Sequence, residues 1–176
     1  MKIFKLKENV KEKVVKDFQE SEAWNSLVGE NFADFMETRF HKLIGEDLGL
    51  ELRYSLNHCQ GDEVSFVGKI MCTKLETLPF GHLFKDIDDS SILFTGNGLE
   101  NYYCHDKTVD IEIDIDEEIY SEEELNILEK TVQEWFENIC STLEKEGYEI
   151  LAKHLSEEVI IEYLAQYDFD ENGEVI

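Results

Sequence analysis

The sequence predicts an α+β fold, with a small antiparallel sheet of about four strands packed with N-terminal and C-terminal helices. Three observations carry this. Apolar residues recur at helical spacing in the first and last thirds of the chain. β-forming segments separated by turn residues cluster in the middle third. Within that third, Val109-Asp110-Ile111-Glu112-Ile113-Asp114-Ile115-Asp116 alternates aliphatic and acidic residues without a fault, the period of a strand with two unlike faces. The expected layout is one domain over 1–176, with helices over about 8–47, a sheet over about 50–116 and helices over about 121–166.

Taken in order, Glu8–Gln19 places Val10, Val14, Val15 and Phe18 on one stripe. A second helix is expected from about Asn31 to Asp47, with Phe32, Phe35, Met36, Phe40, Leu43 and Ile44 along it. Gly45 and Gly49 punctuate the chain before the strands. Leu50–Leu56 and Val64–Cys72 read as strands flanking a Gln60-Gly61-Asp62 turn. Leu75–Ile87, broken by Pro79 and Gly81, reads as a short helix or loop. Thr95-Gly96-Asn97-Gly98 is a turn signal, and Tyr102–His105 and Val109–Asp116 follow as strands. Acids are poor strand formers, so the aliphatic face of the last strand is expected to be well buried. Ser121 with Glu124 forms a capping box, with Tyr120 and Leu125 at staple positions. Leu125, Leu128, Val132, Trp135, Ile139 and Leu143 then run as one stripe until Gly147, the expected helix end. Ser156 starts a shorter helix, with Leu155 and Ile160 as its staple pair and Ile160, Ile161 and Leu164 on its apolar side. Trp24, Trp135, Phe32, Phe35, Phe40 and Phe136 lie at helical spacing and read as core.

Composition narrows the function. The 176 residues carry 16 Lys+Arg against 41 Asp+Glu, a net charge of −25. Residues 110–137 are the densest block, with twelve acids and one lysine. That balance argues against a broad basic surface for nucleic acid and against docking on anionic membranes. It favours a basic protein partner, a cation or a role in solubility. No apolar run reaches the roughly 18–20 residues that span a bilayer. The basic start Met1–Lys7 lacks the apolar region of a secretory signal. Cys59, Cys72, Cys104 and Cys140 are therefore expected to be reduced thiols in the cytoplasm.

Several motifs suggest chemistry, and each has a plainer reading. Asp168-Phe169-Asp170-Glu171-Asn172-Gly173 matches the first half of an EF-hand loop, but the twelfth position, where a bidentate Glu is needed, lies past Ile176. The plainer reading is a polar turn in which Asp and Asn bond their own backbone. His58-Cys59 and Cys104-His105, with Cys72, suggest a metal site, but neighbours on a strand point to opposite faces and no zinc spacing is present. Cys59 or Cys104 with His105 and Asp62 can be drawn as a nucleophilic set, although four Cys and five His permit many such drawings. The reading is of a binding protein rather than an enzyme, with no catalytic residue, metal or cofactor assigned.

Tyr54-Ser55-Leu56-Asn57-His58-Cys59-Gln60-Gly61-Asp62-Glu63-Val64-Ser65-Phe66 resembles a Y-S-L-x-Y-x-Q-G-D-G-x-x-F signature. The opening Leu6–Lys13, the segment Tyr103-Cys104-His105 and the ending Tyr163–Gly173 resemble further segments of the same family. That family comprises small phage and prophage proteins, mostly of unknown function and sometimes labelled antitoxin-like. Glu63 stands where the family usually has a second Gly, and His58 where it often has Tyr. The resemblance implies phage or mobile-element origin and hence the cytoplasm of a bacterial host.

Charge and resemblance together suggest an inhibitor of a bacterial nucleic-acid-targeting defence protein, of the anti-CRISPR or antirestriction type, acting as a nucleic-acid mimic. The expected partner is a basic nuclease or RNA-guided complex, with no direct contact to nucleic acid or membrane. Asp110, Glu112, Asp114 and Asp116, the helix start at Glu122 and Glu123, and the hairpin residues Gln60 and Asp62 are the expected binding residues. An antitoxin-like neutraliser of a basic toxin fits the same charge. A phage housekeeping protein whose charge serves solubility, and an enzyme using the Cys/His residues, are the remaining classes. The Trp and Phe content also suits a homodimer interface.

Overall fold

The structure, a computed structural model, describes residues 1–45, 48–56, 63–96 and 106–176. Its described secondary structure comprises helices α1 (Glu8–Gln19), α2 (Glu22–Ile44), α3 (Cys72–Leu75), α4 (Glu122–His154) and α5 (Glu157–Leu164), and strands β1 (Leu50–Ser55), β2 (Glu63–Met71), β3 (Ser91–Gly96) and β4 (Val109–Asp114). The fold is α+β, and the strands form one antiparallel sheet in the order β1-β2-β3-β4. The chain divides into two compact units, one formed by 1–35 with 147–176 and the other by 36–146.

In the first unit, α1 and α5 pack through Val15, Ile160 and Leu164, with Ile3, Leu6, Trp24, Val28 and Phe169 completing the core. Phe18, Trp24 and Tyr163 form a ring cluster with centroids 5.3–5.4 Å apart. Met1 and Phe169 exchange backbone hydrogen bonds, and Lys2 donates to the Asp168 carboxylate at 3.3 Å. Ser156 caps α5 as expected, its hydroxyl accepting from the Val159 N–H. Leu155 is exposed and Ile160 buried, so the expected staple pair is not an enclosed one.

α2 begins nine residues before the expected Asn31. Ser21 caps it, accepting from the Trp24 N–H at 3.2 Å, and the buried residues Trp24, Val28, Phe32, Met36, Phe40 and Ile44 recur every fourth position. Gly29 interrupts that series to the eye but not to the backbone, because a lone helix glycine costs only about 1 kcal/mol. α4 likewise passes through Gly147 and ends at His154. Gly147 is not in the positive-φ conformation of a helix C-cap, and the apolar stripe resumes beyond it at Leu151.

The second unit is built on the sheet. β3 was not expected. Its inner residues Ile92 and Phe94 are buried, while its outer Leu93 is only half-buried, so an apolar run masks the alternation. The expected strand Tyr102–His105 and the Gln60-Gly61-Asp62 turn lie outside the described residues, as do Asn97 and Gly98 of the expected turn. Thr95 and Gly96 end β3. α4 supplies the cover: Phe136 meets Phe66 at 4.7 Å and Phe94 at 5.6 Å, and Trp135 meets Phe66 at 5.7 Å and Phe80 at 5.5 Å. A bidentate ion pair joins Arg39 of α2 to Glu146 of α4, which holds the Glu146 carboxyl below its usual range.

Candidate protein-binding face

β4 is an edge strand, with β3 as its one strand neighbour among the described residues. Its register pairs Phe94 with Ile111 and Ile92 with Ile113, so the isoleucines face α4 and the acids face away. Asp110, Glu112 and Asp114 are all exposed. At a rise of about 3.3 Å per residue, same-face carboxylates stand roughly 6.6 Å apart, the order of phosphate spacing along a nucleic-acid strand. Neighbouring members repel by roughly 0.6 kcal/mol in water, and a basic partner relieves that repulsion. Glu112 and Asp114 form no ion pair among the described residues.

The strand departs from its sequence pattern in two ways. The ladder has three carboxylates, not four. β4 ends at Asp114, and Asp116 instead caps a 3-10 turn over Glu117–Ile119, its carboxylate accepting from the Glu118 N–H at 3.1 Å. The aliphatic face is also less buried than expected, since Ile111 and Ile113 are only half-buried. An edge strand has a neighbour on one side only, so among the described residues no strand covers the other flank of these side chains. A groove of about 600 Å³ occupies that flank, lined by Ile111, Ile113, Asn126, Glu129, Lys130 and Gln133.

The α4 start lies just beyond the 3-10 turn. Glu122 and Glu123 are exposed in its first turn, as expected. Glu124 is committed to structure. Its carboxylate accepts from the Ser121 N–H at 2.8 Å while its own N–H donates to Ser121 Oγ at 3.3 Å, the predicted capping box. Lys85 adds a clamp that sequence spacing did not reveal. Its ammonium donates to Glu124 at 2.6 Å and to the Ile119 carbonyl at 2.9 Å, and lies 5.0 Å from the centre of the Tyr120 ring. The hydrogen bond from Lys85, then those from Ser121, lower the Glu124 carboxyl to about 2. Because the folded-state value lies below the ordinary one, this carboxylate stabilises the fold above about pH 4.3 and loses that contribution as pH falls towards 2. Glu124→Gln is therefore expected to lower Tm at pH 7, with the gap to wild type closing between about pH 4.5 and 2. Thermal unfolding across that range checks it, and a gap independent of pH would contradict it.

Gln60 and Asp62 lie outside the described residues, as do His58, Cys59, Cys104 and His105. Cys72 is half-buried, and burial pushes the Cys140 thiol far above its usual range, away from the thiolate a nucleophile needs. Among the described residues no three His, Cys, Asp or Glu side chains are placed to share a metal ion. The Asp168–Gly173 segment forms the polar turn. Asp170 accepts from the N–H groups of Asn172 at 2.8 Å and Glu174 at 2.9 Å, and Gly173 adopts φ +88°. Among the described residues no helix is long and apolar enough to cross a membrane. No family model, curated protein or solved structure matches this chain.

Proposed function

We propose that the protein is a phage or mobile-element inhibitor that binds a basic, nucleic-acid-targeting bacterial effector through its acidic face, in the place of nucleic acid. The carrying observation is the exposed ladder Asp110, Glu112 and Asp114, held by the β3 register in a chain of net charge −25. Two physical reasons support the reading. A fixed array of like charges steers a basic partner and speeds encounter. Charges held on a packed sheet also need little ordering on binding. Glu122 and Glu123 extend the acidic surface, while the Lys85 clamp positions the turn between them and β4.

The test is a pull-down from nuclease-treated bacterial lysate with the wild-type protein and a triple variant, Asp110→Lys, Glu112→Lys and Asp114→Lys. Wild type is expected to recover a basic nuclease or RNA-guided effector, and the variant is expected to lose it while keeping its circular dichroism spectrum. Salt near 1 M, where the screening length is about 3 Å, should weaken the wild-type complex as well. Retention of the effector by a folded triple variant would remove the ladder from the interface.

A further inference from the structure

We infer that the edge of β4, which carries no further strand among the described residues, takes up an extended basic segment of a partner as a fifth strand, its residues alternating Lys or Arg with medium-sized apolar side chains. This rests on the acidic-face reading only for the sign of the partner's charge. The geometry behind it is separate.

Two inner rows of side chains cross the sheet on the face covered by α4. One runs Ile70–Ile92–Ile113 and the other Gly68–Phe94–Ile111. Ile70 and Ile92 are fully buried and Phe94 nearly so, yet each row ends at β4 on a half-buried isoleucine. The covering helix does not end there. Asn126, Glu129, Lys130 and Gln133, spaced as one face of α4, form the far wall of the groove of about 600 Å³ beside Ile111 and Ile113. The space therefore has a floor, a wall and the edge of a sheet, but no strand among the described residues. Inward side chains of an added strand would extend both rows across Ile111 and Ile113. Their alternates would fall on the opposite face, beside Glu112 and Asp114. Main-chain hydrogen bonds to the edge supply affinity in this mode, and the alternating side chains supply specificity.

Charge selects the occupant. Two copies of β4 joined edge to edge would set rows of carboxylates against each other, and like charges directly opposite are unfavourable. A basic strand converts the same positions into cross-strand ion pairs.

The probe is a capped six-residue peptide, Lys-Val-Lys-Val-Lys-Val, matching the six residues of β4. It is compared with Lys-Lys-Lys-Val-Val-Val and with two versions N-methylated either at every Lys or at every Val. Binding to the intact protein is followed by fluorescence anisotropy, and amide hydrogen exchange maps the site. The alternating peptide is expected to bind roughly tenfold more tightly than the block peptide and to slow exchange over 109–114. One methylated version should lose roughly tenfold and the other should bind as the parent does, because only alternate N–H groups of a strand face a given neighbour. Four outcomes overturn the inference: no binding by the alternating peptide, equal binding by the alternating and block peptides, equal binding by the parent and both methylated forms, or β4 protection that rises with protein concentration in the absence of peptide, which marks a second copy at the edge. Equal binding of all basic peptides would leave the acidic-face reading standing while removing the fifth strand. Conversely, effector capture that survives the triple reversal removes the acidic-face reading and leaves the peptide result to be judged by its own methylation pattern.

Discussion

Replacing Phe66 by Ala is expected to cost roughly 3–5 kcal/mol of stability, the usual range for emptying a buried aromatic site. Phe66 is fully buried on β2, and its ring lies within 6 Å of four others: Phe136 at 4.7 Å, Phe94 at 5.3 Å, Phe40 at 5.4 Å and Trp135 at 5.7 Å. These rings come from α2, β3 and α4, which cannot all close onto a vacated centre. Aromatic pairing adds to the loss of transfer energy. In a chain of this size each kcal/mol moves Tm by roughly 2–4 °C, so the drop should be about 6–20 °C. Phe66→Leu, which keeps most of the volume, should lose much less. Urea unfolding of the three proteins checks the series, and a cost below about 1 kcal/mol for the Ala variant would show that the ring cluster is not the keystone of the sheet–helix layer.

The second large effect is expected from Gly68→Ala, in the middle of β2. Gly68 adopts φ +132°, and a Cβ built there would lie 2.3 Å from the Gly49 carbonyl oxygen and 3.1 Å from the Leu50 Cα. Both obstacles are backbone, so no rotamer change relieves them. The expected cost joins roughly 1–2 kcal/mol for the backbone conformation to roughly 1–3 kcal/mol for overpacking. Gly45 is the control. It also has positive φ, at +93°, but no atom of the described residues lies within 4 Å of its Cβ position, so Gly45→Ala should show the conformational cost alone. Hydrogen exchange should locate the Gly68→Ala damage in β1, whose Leu50 pairs with Gly68, more than in β4, which is two strands away. Equal costs for the two alanine variants would mean that β1 shifts without penalty.

Local signals were legible wherever the backbone interactions are local. α1 appeared with its full bounds because its stripe and its limits lie within twelve residues. The capping box at Ser121 and Glu124 and the cap at Ser156 form between atoms three residues apart, so their spacing announces them. The Asp170 carboxylate is equally local, satisfied by the amides of Asn172 and Glu174, although Phe169 beside it pairs with the distant Met1. Signals failed where a distant segment decides the outcome. Gly147 looks like a helix end, but Leu151, one turn on, packs against the core that includes Val15 of α1 and Ile160 of α5, and α4 runs through the glycine. β3 carries apolar residues on both faces, and only its pairing between β2 and β4 shows which face is inner.

The candidate site divides in the same way. The sequence alone specifies a strand with isoleucines on one face and carboxylates on the other, because side chains of an extended chain alternate whatever surrounds them. It also determined the sign and density of the charge. That the strand lies at the sheet edge, that Asp116 leaves the ladder for a turn, that Lys85 holds Glu124, and that a groove opens between Ile111, Ile113 and α4 were decided only by tertiary structure. Edge position, ion pairing and cavity shape depend on which segments meet across the fold, and no local period encodes those meetings.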